Sequence, residues 1–144
     1  MQGTFPEVLD SSILATFKSC PQLFKKIYID QWKSKEPSVH LHAGGAFAKG
    51  VEVARRAFYE QALSAEDAVA AGLQALLTFY GDFECPPDSA KSAERTAGAL
   101  EFYFANYPLE HGDQDPITLP NGKRGIEFNF VHPLERKHPI TGNP

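Results

Sequence analysis

The sequence predicts an α+β domain, one domain over residues 1–144, with a helical front of about five helices over 11–107 and the opening of a sheet at 125–132. Three observations lead there. Apolar residues recur at helical spacing in successive stretches, each bounded by Ser, Asp, Pro or Gly. Residues 125–132 instead alternate, with Ile126, Phe128 and Phe130 set against Glu127, Asn129 and Val131. The turn-rich connector "HPLERKHPITGNP" then follows where a strand needs a hydrogen-bonding partner, so the sheet reads as begun and incomplete.

The elements follow in order. "DSSILATFKS" offers Asp10, Ser11 or Ser12 as an N-cap, with Ile13, Leu14 and Phe17 at helical spacing. Pro21 interrupts that helix and sits near the first turn of the next, "PQLFKKIYIDQW", whose apolar face is Leu23, Phe24, Ile27 and Tyr28. "KSKEPSVHLHAGG" reads as a loop. A long helix over about 44–61 carries the stripe Phe47, Val51, Ala54 and Phe58. Ser64 with Asp67 opens another helix in the manner of a capping box, with Val69, Leu73, Leu76, Leu77 and Tyr80 on its apolar face. "GDFECPPDS" breaks the chain before a helix over about 89–106 with Leu100, Tyr103, Phe104 and, just past its end, Tyr107. "LPNGKRG" is a tight turn leading to the strand.

Hydrophobic content of 42% and charged content of 22% are those of an ordinary globular chain. A net charge of −4 argues against a generally basic nucleic-acid-coating protein and leaves a local basic groove open. No apolar run is long enough to span a bilayer, so no membrane partner is expected. "MQGTFPEVLD" has no basic-then-apolar secretory pattern, which predicts a cytoplasmic setting. The two cysteines, Cys20 and Cys85, make neither a zinc spacing nor a disulfide scaffold and are expected as free thiols.

Few residues stand out for chemistry. Glu52 lies three or four positions from Lys49, Arg55 and Arg56, which makes either a salt-bridged face or a carboxylate beside a metal or phosphate. His40 and His42 lack a third ligand nearby and make a weak metal signal. No phosphate-binding glycine loop of the Walker kind and no nucleophile elbow is present. Lys18, Lys25, Lys26, Lys33 and Lys35 cluster in the first third, interleaved with Phe17, Phe24, Tyr28 and Trp32. Cations with aromatics suit phosphate contacts and base stacking, so a non-catalytic module binding single-stranded DNA or a partner protein is one functional expectation.

The other comes from resemblance. "SSILATFKSCPQLFKKIYI", "HAGGAFAKGVEVARRAFYE" and "IEFNFVHPLERKHPITGNP" together resemble the N-terminal part of RecB-like nucleases of the PD-(D/E)XK superfamily. Gly44, Val51 and Glu52 occupy that family's Gly, Leu and Glu places, while Ala48 stands where many members have a metal-binding histidine. The resemblance implies a restriction-endonuclease-like core, begun here and incomplete, and phosphodiester hydrolysis in DNA, as exonuclease or endonuclease in phage recombination or host repair, with Mg²⁺ or Mn²⁺. Glu52 would flank the metal site, and Lys18, Lys25, Lys26, Arg55 and Arg56 would touch DNA. Cys20 matches an iron–sulphur cysteine whose three partners would have to lie beyond Pro144, so no 4Fe–4S cluster is expected of this chain. The Gly-x-x-Asp and Asp/Glu-x-Lys that hold the metal do not follow the strand, and Glu135-Arg136-Lys137 matches only formally, among prolines and histidines. The expectation is thus an inactive N-terminal fragment of a nuclease, in a host cytoplasm if phage-encoded, whose unpaired strand is a route to self-association.

Overall fold

The computed structural model describes residues 5–35, 38–86, 88–111 and 115–133. They form two compact units, Met1–Glu36 with Asn129–Pro144, and Pro37–Phe128.

In the N-terminal unit, α1 (Ser11–Ser19) starts where Asp10 Oδ1 accepts the Ile13 N–H at 2.7 Å. Cys20 ends it in extended conformation, and Pro21 then occupies the first turn of α2 (Pro21–Phe24), where its missing N–H costs nothing. The helix continues as a π-helical turn, Lys25–Ile29. Ile13 and Phe24 are buried, and the rings of Phe5, Phe17 and Tyr28 surround Phe24 at centroid distances of 5.9, 5.3 and 5.6 Å.

The second unit is three helices, α3 (Val39–Tyr59), α4 (Ala65–Tyr80) and α5 (Ala93–Asn106). Ser64 and Ser92 cap the last two by accepting the N–H of Asp67 and Arg95. α3 and α4 cross where Gly50 meets Gly72. A Cβ on Gly72 would lie 2.7 Å from the Gly50 carbonyl oxygen, so only hydrogen fits there. Ala43, Ala46, Gly50, Ala54 and Ala57 are therefore the buried line of α3, while Leu76, Leu100 and Phe104 supply the bulk of the core. The larger Phe47 is half-buried at the flank, edge-on to Tyr103 at 5.9 Å.

Three expectations are corrected. α3 begins at Val39, so "VHLHAGG" is its first two turns and not a loop. Gly45 lies in close packing there, since a Cβ on it would meet the Phe79 ring at 3.1 Å. On α4 the expected Leu76 and Tyr80 are buried and Val69 and Leu73 pack against the core, but Leu77 is exposed and Ala68 and Gly72 complete the buried line.

The third correction concerns the fold class. The described residues are helical and contain no strand, so the predicted α+β fold, with its restriction-endonuclease-like sheet opening at 125–132, is overturned. "LPNGKRG" does turn, with the Leu119 N–H donating to the Lys123 carbonyl at 2.8 Å and the Gly125 N–H to the Ile117 carbonyl at 2.8 Å. The pairing stops at one antiparallel bridge, Thr118 with Arg124. Beyond it Glu127 takes φ +44°, which no strand tolerates, and the Ile126 carbonyl is claimed by the Arg56 Nη2–H at 2.8 Å. Ile126 is 3% exposed but Phe128 47% and Phe130 82%, so the alternating residues do not share one buried face. Glu135-Arg136-Lys137 and the rest of the connector after 133 lie outside the described residues.

Candidate nucleic-acid interface

Residues 5–35 carry five lysines against three carboxylates, opposite in sign to the chain's −4. The π-helical turn arranges them. Its wide winding lets the Asp30 N–H reach the Lys25 carbonyl at 2.8 Å, and Lys25 Nζ closes an ion pair with Asp30 Oδ2 at 2.9 Å. Gln31 then takes φ +55° and turns the chain back, so that the Trp32 N–H donates to the Lys26 carbonyl at 2.9 Å. This return sets Lys26 Nζ 5.4 Å from the centroid of the Trp32 ring. Trp32 is 65% exposed and Phe17, whose ring packs edge-on to Phe24, is 51% exposed. Lys18 lies in the last turn of α1, and Lys18, Lys26 and Lys33 have no ion-pair partner among the described residues.

The remaining predicted residues lie on α3, in the other unit. Glu52 is enclosed by cations: Oε2 accepts from Lys49 Nζ and Oε1 from Arg56 Nε, both at 3.0 Å. The Lys49 hydrogen bond, then that of Arg56, hold its carboxyl below the ordinary carboxylate range. Arg56 also bonds Glu60 at 3.2 Å and the Ile126 carbonyl, and its own pKa is raised chiefly by Glu52. Arg55 does not join Glu52 but donates to the Tyr103 hydroxyl at 3.0 Å. Of the two alternatives for Glu52, the geometry is the salt-bridged face.

A divalent metal does not fit this arrangement. Both Glu52 oxygens are taken by cations that would repel the ion, and no three His, Cys, Asp or Glu side chains converge among the described residues. His40 and His42 part company on the helix. His40 is exposed, while His42 Nε2–H donates to the Tyr80 carbonyl at the end of α4 at 2.9 Å and stacks on Phe83 at 4.1 Å. Cys20 is a half-buried free thiol between α1 and α2, and Cys85, also free, belongs to the other unit.

The sequence reading missed one basic feature. Lys123 and Arg124, in the turn after the helices, join Arg56, Tyr59 and Glu60 around a cleft of about 420 Å³. Arg124 is fixed there by the Pro116 carbonyl at 3.2 Å and the Thr118 hydroxyl at 3.3 Å. The "KR" in the turn was visible, but nothing in the sequence couples it to a helix nearly seventy residues earlier.

Among the described residues no helix is long and apolar enough to cross a membrane. No protein-family model, curated protein or solved structure matches the chain. The resemblance to RecB-like nucleases therefore rests on the quoted stretches alone, and the chain is assigned to no family.

Proposed function

We propose that the N-terminal unit binds single-stranded nucleic acid, with the bases stacking on Trp32 and Phe17 and the phosphates meeting Lys18, Lys26 and Lys33. The observation that carries this reading is the exposed Trp32 ring with Lys26 Nζ beside it, presented on a surface whose net charge is opposite to that of the whole chain. An aromatic face accepts any base and an ammonium accepts any phosphate, so the mode is tolerant of sequence. The resemblance of residues 11–29 and 42–60 to RecB-like nucleases makes DNA the first strand to test.

The test is anisotropy of a labelled oligothymidylate titrated with the full chain over a range of salt. Three phosphate contacts give a log–log salt slope of about −2. Trp32→Ala removes a stacking face and should weaken binding by about 1–3 kcal/mol. A slope near zero, or unchanged binding by Trp32→Ala, would sink the proposal.

A further inference from the structure

A second surface, on the other unit, has different chemistry. The N-terminal half of α4 and the C-terminal half of α5, with Pro108 and Leu109 beyond it, leave an apolar groove of about 450 Å³. Val69 and Leu73 form one wall, and the buried Phe104 and Leu109 form the floor. Ala70 and Ala105, both exposed, are too small to close the groove.

Its length suits a helix. Ala65, Val69 and Leu73 follow one another at steps of four along α4, so the groove extends about 12 Å. A partner helix that places anchors at one, four or five, and eight spans about 10.5 Å. Its charge is one-sided. Glu66 and Glu101 line the groove, and no Lys or Arg does. Neither carboxylate has an ion-pair partner among the described residues. The groove is thus an apolar trough lined by two carboxylates with no compensating cation among the described residues.

We propose that this groove docks a partner protein helix whose apolar face is bordered by Lys and Arg. The apolar trough supplies the burial, and the two carboxylates select a basic border over an acidic one. The proposal is independent of the nucleic-acid reading, since it uses no residue of the N-terminal unit.

The experiment uses the full chain, isotope-labelled, and two synthetic helical peptides with one leucine face in common. One peptide is bordered by lysine and the other by glutamate. The lysine peptide should shift the amides of Val69, Leu73, Glu101 and Ala105, and the glutamate peptide should leave them in place. Glu66→Lys with Glu101→Lys should weaken the lysine peptide by about tenfold or more and let the glutamate peptide bind. Ala105→Trp, at an exposed position, should fill the trough and abolish binding while the helical signal is retained. Equal affinity for both peptides, shifts confined to other surfaces, or self-association of the chain that Ala105→Trp abolishes would each overturn the proposal.

Discussion

Replacing Gly72 by alanine should destabilise the three-helix unit, and the opposite sign at Gly98 shows why. Alanine is favoured over glycine inside a helix by about 1 kcal/mol, and both positions are helical. At Gly98 a Cβ meets nothing within 4 Å, so Gly98→Ala should stabilise by up to that amount. At Gly72 the new Cβ would lie 2.7 Å from the Gly50 carbonyl oxygen and 2.9 Å from the Ala54 Cβ. Both partners belong to a helix backbone or its first side-chain atom, so neither can rotate away and α3 must shift. Overpacking of this kind costs about 1–3 kcal/mol, with the upper half expected against a backbone oxygen. The propensity term cancels between the two variants, so their difference in unfolding free energy reads the clash alone, about 2–3 kcal/mol. Urea unfolding followed by helical circular dichroism measures it. A Gly72→Ala protein as stable as Gly98→Ala would refute the close α3–α4 crossing.

Two further predictions concern the polar contacts of the same unit. Arg56→Ala removes the ion pairs to Glu52 and Glu60 and the hydrogen bond to the Ile126 carbonyl, and should cost about 1–2 kcal/mol with faster amide exchange around Ile126. Arg56→Lys, which lacks the fork that bonds three partners at once, should recover little of it. Tyr80 is buried, donates to the Lys91 carbonyl, and is pushed by desolvation from 10.0 up to about 12. The folded state therefore keeps this proton where the unfolded chain has lost it. Its contribution is complete below about pH 10 and lost as the pH rises towards 12, a loss that Tyr80→Phe should reduce in a stability-versus-pH series.

What the sequence disclosed was local. The caps at Asp10 and Ser64 and the Pro21 restart depend on residues within one turn of each other and were visible, whereas the helix expected from about 89 starts only at Ala93, capped by Ser92. What it concealed was tertiary. The start of α3 was placed five residues late, at about 44, because the stretch up to the glycines read as loop, whereas His42 reaching the Tyr80 carbonyl and Gly45 against Phe79 hold those turns from another helix. Of the stripe Phe47, Val51, Ala54 and Phe58, only Ala54 lies in the centre of the core and the other three are half-buried, because α4 comes so near that alanine and glycine take that place. The strand at 125–132 failed because alternation alone does not supply a partner. The hydrogen bond from Arg56 to Ile126, which competes with extended pairing there, spans 70 residues.

The candidate site divides in the same way. The lysine and aromatic cluster of the N-terminal third was legible as composition, but the placement of Lys26 beside Trp32 depends on a π-helical turn and a left-handed Gln31 that no periodicity signals. Glu52 was legible as a carboxylate among cations, and it does pair with Lys49 and Arg56 on its own helix. Lys123 and Arg124 joined Arg56 only in three dimensions.

The chain has a single tryptophan, so fluorescence excited at the red edge of the absorption band, where tyrosine does not absorb, reports on Trp32 alone. The most direct measurement is that fluorescence during titration with a single-stranded DNA oligonucleotide, at low and at moderate salt. The account predicts saturable quenching at low salt, weakened several-fold at moderate salt and diminished by Lys26→Ala. Fluorescence that does not respond to the strand, or a response that salt leaves unchanged, would contradict it.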